Sequence, residues 1–204
     1  MKEDDLYPLF AKLAGRKVVL VGGGKVAASK LPALLTAAAE VTVVAPRIRR
    51  DIQGPKVKLV HRAFVSQDLN GAWFVIAAAP QQINREVSIA AEERQLFVNA
   101  VDDPANATAY LGGVVRNSGV TVAISTNGRS PALAGLIREG FEAVLPSADL
   151  ESWTIQAQAE RNDWQTRMVP IADRRPLLLQ ALNRLYEESA KQRTPNNHTP
   201  RVNR

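Results

Sequence analysis

The stretch at residues 17–30, KVVLVGGGKVAASK, limits the fold more than any other part of the chain. Its first five residues, Lys17 to Val21, form a short apolar run rich in β-branched side chains, the signature of a buried strand in a parallel sheet. Gly22, Gly23 and Gly24 then break the chain, and small and apolar residues resume at helical spacing from Ala27. The spacing G-x-G-x-x-A falls on Gly22, Gly24 and Ala27. In a dinucleotide site the first of these permits a tight turn, the second admits a pyrophosphate close to the backbone, and the third lets a helix pack on its strand. The phosphates would rest at a helix N-terminus, where free N–H groups and the macrodipole favour negative charge. The competing reading is a tight turn that holds no ligand, but three consecutive glycines cost chain entropy that a mere turn does not need.

The context strengthens the motif. A helix-length Ala/Leu segment, residues 27–38, leads into a second strand at Val41-Thr42-Val43-Val44, completing a β-α-β unit. A carboxylate at the end of that second strand ordinarily holds the ribose hydroxyls, yet the chain there reads Ala45-Pro46-Arg47. Either Arg47 faces a 2′-phosphate, which favours NADP, or it points to solvent while backbone groups around Pro46 hold the ribose. Spacing leaves the choice of cofactor open.

The alternation continues. Val57 to Val60, interleaved with lysine, reads as a strand exposed on one side, and Asp68-Leu69-Asn70-Gly71 as a turn. Residues 73–78 form the next buried strand. A helix over residues 84–94 follows, with Ile83, Val87, Ala90 and Ala91 on one face. A further strand at residues 96–101 ends at Asp102-Asp103-Pro104. Strands alternating with helices imply an α/β class with an N-terminal, Rossmann-like, doubly wound parallel sheet. The apolar entry segment at residues 6–10 is expected to pack against the sheet edge.

Beyond Ala105 the pattern changes. Two strands, residues 109–115 and 120–125, flank the turn Asn117-Ser118-Gly119. Ser130 suits an N-cap and Pro131 the first position of a helix that extends to Val144 and stops at Pro146. Residues 150–188 are helical, with breaks expected near Pro170 and Pro176. From Lys191 onward there is no apolar periodicity, and residues 191–204 read as a disordered basic tail.

Composition excludes several classes of protein. The sequence has no cysteine, which rules out disulfides, thiolate catalysis and sulfur-ligated metal. No apolar run approaches the roughly 18–20 residues of a membrane span, and the acidic start MKEDDLYPLF lacks a signal-peptide core. A cytoplasmic protein without a membrane partner is the expectation. The net charge of +6 is partly a tail effect, because the last 14 residues carry four Lys/Arg and no acid. Nucleic-acid binding calls for a basic face with aromatic platforms, and the pattern offers neither. His61 and His198 are the two histidines, and no His/Glu cluster suggests a metal site.

Sites in such a sheet lie beyond the carboxyl ends of the strands. Asp102 follows one of those ends, where a carboxylate can act as a general base; the alternative is that Asp102-Asp103-Pro104 is only a turn. At this point the landmarks form a pattern: Tyr7-Pro8-Leu9-Phe10, Gly15-Arg16, Val21-Gly22-Gly23-Gly24 with Val26-Ala27 and Lys30, Val98-Asn99 with Val101-Asp102, and Ile124-Ser125-Thr126-Asn127-Gly128 with Ser130-Pro131 and Arg138. In this order the chain resembles the precorrin-2 dehydrogenase and sirohydrochlorin ferrochelatase family, the N-terminal module of siroheme synthases. The segment around Trp153 and residues 182–186 fits that family's helical domain less distinctively.

The resemblance implies NAD-dependent oxidation of precorrin-2 to sirohydrochlorin in siroheme biosynthesis and, in some members, insertion of Fe2+. It implies a homodimer with a tetrapyrrole substrate. Its domains are an NAD-binding domain at 1–113, a small α+β dimerisation segment at 114–147 and a C-terminal helical domain at 148–190. The family's catalytic aspartate falls on Asp102. Its NAD contacts fall at the glycine turn, on Lys25 and Val26, and near Pro46 and Arg47, and the resemblance favours NAD over NADP. The tetrapyrrole side is implied at Ser125, Thr126, Asn127, Gly128 and Arg129. Arg116 and Arg138 lie in the same region, and guanidinium groups grip carboxylates in pairs of hydrogen bonds. Thr126 stands where the family carries a serine that can be phosphorylated. Departures at Leu111-Gly112-Gly113 and Ala79-Pro80 alter local loop shape. The rival class is a non-catalytic NAD(P)-binding redox sensor or a tetrapyrrole-binding protein; a sensor would need neither Asp102 nor the loop at 125–131.

Overall fold

The structure, a computed structural model, describes residues 6–145 and 147–193. The chain forms two compact units. One comprises the chain up to Gly112 together with Ser125–Ala134; the other comprises Gly113–Ile124 and the chain from Gly135 onward.

The first unit is built on five parallel strands: β1 (Lys17–Val21), β2 (Glu40–Val44), β3 (Val57–Val60), β4 (Phe74–Ala77) and β5 (Phe97–Ala100). Their order across the sheet is β3-β2-β1-β4-β5. Helix α1 (Lys25–Thr36) carries the chain from β1 to β2, and α2 (Gln81–Glu92) from β4 to β5. The order reverses between β1 and β4, so the crevice at their carboxyl ends is the switch point where such sheets bind ligands. Strand pleating sends alternate residues to opposite faces. Val18, Leu20, Val41, Val43 and Ile76 meet Ala27, Leu31 and Leu34 of α1. Val19, Val21, Val75, Ala77 and Val98 meet Val87, Ala90 and Ala91 of α2. Both faces are covered, which is why the strands read as unbroken apolar runs.

The α/β reading of the sequence is right, and the differences are local. The entry segment does not pack on a sheet edge: Tyr7 is 87% and Phe10 71% exposed. The reason is topological. It feeds β1, the central strand, so it arrives at the amino end of the sheet. The chain is first pinned at Gly15 and Arg16, whose backbone groups bond to Ala38 and Glu40. The free edge of β5 is taken instead by residues 107–109, where the Thr108 and Ala109 N–H groups both donate to the Val98 carbonyl. This shifts the strand expected at 109–115 to β6 (Gly113–Asn117).

In the second unit, β6 pairs antiparallel with β7 (Val120–Ile124). The tight turn between them has positive φ at Ser118 (+46°) and Gly119 (+83°), the geometry that matches strand twist. Helix α3 (Pro131–Val144) begins in the first unit and continues in the second, followed by α4 (Ser147–Thr166) and α5 (Ile171–Arg193). The Thr154 hydroxyl donates to the Ser118 carbonyl at 3.0 Å and the Asn117 amide to that of Leu145 at 3.2 Å, tying hairpin to helices. The expected break near Pro170 occurs, with Met168 at φ +51° closing α4. Pro176 does not break α5 but lies inside it. It sits in the second turn, where it removes one backbone bond, to residue 172, and the following helix outweighs that loss. Of the tail set apart at 191–204, the first three residues belong to α5 and residues 194–204 lie outside the described residues.

Candidate functional site

The glycine turn at the end of β1 divides its work in a way the spacing did not disclose. Gly22 has φ +126°, and a Cβ there would lie 2.2 Å from the Ala78 carbonyl oxygen. At Gly23 a Cβ would lie 2.1 Å from the carbonyl oxygen of Arg47. At Gly24 a Cβ would meet nothing within 4 Å. Gly22 and Gly23 are thus glycine because other backbone passes against them, and Gly24 is the one that faces open space. Gly23, the unnamed x of the motif, is as constrained as its neighbours. It also accepts a hydrogen bond from the Arg49 N–H at 3.0 Å, which locks the loop after β2 onto the turn.

Gly24 is the N-cap of α1, no side chain caps it, and no acid stands in the first turn. The ladder opens with Ala28 N–H donating to the Gly24 carbonyl at 3.0 Å, so the N–H groups of Lys25, Val26 and Ala27 have no partner within the helix. Gly24, Lys25 and Val26 are exposed while Ala27 is fully buried against the sheet. Open space above Gly24, free amides and the positive end of a 12-residue helix fit a pyrophosphate.

Pro46 and Arg47 lie exposed beyond β2. The one carboxylate of this loop, Asp51, forms a bidentate pair with Arg49, with distances of 2.8 to 3.3 Å. That hydrogen bonding holds the Asp51 carboxyl below its ordinary range and Arg49 above its own.

Beyond β5 the two aspartates separate. Asp102 is exposed with φ +56°, a left-handed conformation that short polar side chains tolerate better than most. Asp103 is buried, and its carboxylate accepts the Asn106 amide at 2.8 Å. Buried Asn99 holds the next segment by donating to the Ala109 carbonyl at 2.9 Å. Asp103 therefore serves the turn and leaves Asp102 facing outward. Parallel strands end on the same side, so Asp102 and the glycine turn share the carboxyl edge, two strand spacings or about 10 Å apart across the sheet.

The loop between β7 and α3 also belongs to the first unit. The Thr126 hydroxyl accepts from the Ser130 N–H at 3.1 Å and donates to the Ser130 carbonyl at 3.0 Å. The Asn127 N–H donates to Ser125 Oγ at 3.1 Å, and the Leu133 N–H donates to Ser130 Oγ at 3.2 Å, making Ser130 the cap its sequence position suggested. Asn127 and Gly128 both have positive φ. Gly128 is covered by the ring of Tyr110, whose hydroxyl reaches the Pro104 carbonyl at 3.4 Å. Tyr110 was not among the residues singled out from the sequence, because its role depends on a contact across 18 positions. Arg129 is exposed in the same loop.

Arg116 and Arg138 belong to the second unit. Arg116 is exposed on β6. Arg138 donates to Glu142 at 2.6 Å and Glu139 at 3.2 Å on its own helix. Among the described residues no group of three His, Asp or Glu could hold a metal ion, and no helix is long and apolar enough to cross a membrane. His61 follows β3, and His198 lies outside the described residues.

A doubly wound parallel sheet whose switch point carries a glycine turn and an uncapped helix N-terminus defines a dinucleotide-binding α/β protein. Comparison with known proteins agrees. The family described as "Putative NAD(P)-binding" matches residues 9–113, and the one described as "Sirohaem biosynthesis protein central" matches residues 118–143. The first match spans more than half of the chain, which therefore belongs to that NAD(P)-binding family. A siroheme synthase of Photorhabdus laumondii is 38% identical over 184 residues, covering 88% of this chain and 39% of the relative. Siroheme synthase 2 of Klebsiella pneumoniae is 40% identical over 147 residues, covering 70% of this chain and 32% of the relative. The chain thus spans about two fifths or less of the length of these relatives. A solved structure of SirC, a precorrin-2 dehydrogenase, superposes with TM-score 0.70 at 25% identity, covering 86% of this chain and 88% of that one.

Proposed function

We propose that this protein catalyses the NAD-dependent dehydrogenation of precorrin-2 to sirohydrochlorin, a step of siroheme biosynthesis, as a cytoplasmic homodimer. The observation that carries the reading is Asp102, turned outward on the same sheet edge as the uncapped N-terminus of α1. The similarity to SirC along nearly the whole of both chains supports the substrate.

Within this reading, residues 1–113 bind the dinucleotide, 114–147 make the dimer contact and 148–190 form the helical domain. NAD, when bound, supplies the hydride acceptor. The backbone at Gly22, Gly23 and Gly24 and the amides of Lys25 and Val26 hold its pyrophosphate, and Pro46 and Arg47 flank its ribose. Precorrin-2 loses a hydride and a proton, and the carboxylate of Asp102 takes that proton. An exposed aspartate that makes no ion pair among the described residues keeps its lone pairs available for this step.

The substrate's carboxylates meet Ser125, Thr126, Asn127, Gly128 and Arg129 of the first unit, while the other candidates, Arg116 and Arg138, belong to the second. Insertion of Fe2+, the finer activity that the family resemblance implies for some members, would fall to Asp102 as acceptor of the pyrrole protons.

The test is NADH formation from enzymatically generated precorrin-2 and NAD, comparing the wild type with Asp102→Ala. The expected result is turnover by the wild type and a loss of about 10²-fold or more in the variant, the scale of a general base. Equal rates would make Asp102 a turn residue. Tetrapyrrole binding with no NADH would favour a sensor or carrier.

A further inference from the structure

The dinucleotide chemistry explains the glycine turn and Asp102 but leaves Tyr110 unused, although it joins two parts of the site. Its position is fixed from behind. The residue before it, Ala109, donates its N–H to the Val98 carbonyl at 3.0 Å and accepts the Asn99 amide at 2.9 Å, so the chain at 109 is clamped to the edge of β5. From there the hydroxyl of Tyr110 reaches Pro104, two residues beyond Asp102, at 3.4 Å. The ring faces the other way in sequence. The three atoms nearest to a Cβ built on Gly128 are all ring atoms of Tyr110, at 3.1, 3.6 and 4.0 Å. Gly128 itself has φ +76°, and Asn127 before it has φ +53°. Asn and Gly adopt such a tight turn readily, so the turn itself is local and what the ring adds is the placement of the loop.

We infer that Tyr110 is a positioning residue: its ring seats the loop at residues 125–130 beside the Asp102 turn and so sets tetrapyrrole affinity without touching the dinucleotide. This rests on the assignment of that loop to the substrate. The ring does the seating and the hydroxyl adds little, because a 3.4 Å hydrogen bond is long. Gly128 is glycine for two reasons that act together, its positive φ and the ring over its Cα.

Two measurements test this on the full chain. Hydrogen exchange without substrate or cofactor reads the loop directly. Tyr110→Ala should speed exchange at residues 125–130 by about tenfold or more while β1 to β5 keep their protection, as expected for a local opening. Tyr110→Phe should keep wild-type exchange in the loop. In steady-state kinetics Tyr110→Ala should raise KM for precorrin-2 by about tenfold and leave KM for NAD unchanged, with Tyr110→Phe restoring the wild-type value. Gly128→Ala should raise the same KM, and its effect should shrink in the Tyr110→Ala background, because the ring it strikes is gone. Unchanged loop exchange in Tyr110→Ala would overturn the inference, as would a Phe variant that behaves like Ala or strictly additive effects of the two substitutions. The exchange measurement needs no turnover, so an inactive wild type would sink the proposed reaction and leave the seating of the loop decided by exchange alone.

Discussion

The two units of this chain bury their apolar residues very differently. In the first, the strands β1, β2 and β4 are sealed on both faces, with Val18, Val19, Leu20, Val43 and Val75 fully buried. In the second, the buried apolar residues among those described are Val115, Leu150, Trp164 and Ala181, while Ile155, Met168, Ile171, Leu179 and Tyr186 stand exposed. A five-stranded sheet with a helix on each face completes its own core. A hairpin with long helices does not, and an apolar surface of this kind commonly marks an association face. The contrast separates a unit that closes its own core from one that leaves apolar surface open among its described residues.

The comparison can be broken by substitution. The largest effect is expected in the sheet: Ile76→Ala removes a fully buried β4 side chain from the core shared with α1 and should cost about 2–5 kcal/mol in denaturant unfolding. Gly23→Ala comes next. It forces the loop after β2 off the glycine turn, and the overpacking should cost about 1–3 kcal/mol. Calorimetry should show weakened NAD binding in the same variant, since the α1 N-terminus and Pro46-Arg47 lose their common anchor.

A third prediction concerns pH. Asp68 is largely buried and accepts Arg62 at 2.7 and 2.5 Å and the Val65 N–H at 3.0 Å. The hydrogen bonds from Arg62 are the main reason its carboxyl titrates below the ordinary range. A depressed folded value means that the unfolded chain takes up the proton first as pH falls. The contribution is therefore complete above the ordinary carboxylate value of about 4 and is lost progressively as pH falls below it. Asp68→Ala should lower stability by about 1–3 kcal/mol at neutral pH, and acid titration should show a shallower loss for the variant than for the wild type.

The smallest effect belongs to the second unit. Ile155→Ala changes an exposed position and should alter the stability of a dilute, dissociated sample by less than about 0.5 kcal/mol. If the unit associates through this surface, thermal unfolding should shift upward with protein concentration in the wild type and less so in the variant. A large loss in dilute Ile155→Ala would mean that the contrast between the units is weaker than their burial indicates.

Much of the first unit was legible from residue order alone. Alternating apolar runs and helix-length segments determined five parallel strands, the β-α-β unit, the glycine turn and the capping of α3 by Ser130, because these depend on periodicity and on chemistry within a few residues. Tertiary structure decided the rest. Only packing shows that Gly23 answers to the Arg47 carbonyl, that Asp103 turns inward and frees Asp102, and that Tyr110 covers Gly128. Only topology explains why residues 6–10 miss the sheet edge and residues 107–109 take it. Each of these depends on backbone brought together from distant parts of the chain. Residue order determines which segments form, and the close approach of one segment to another determines which residue in each turn has room for a side chain and which faces a ligand.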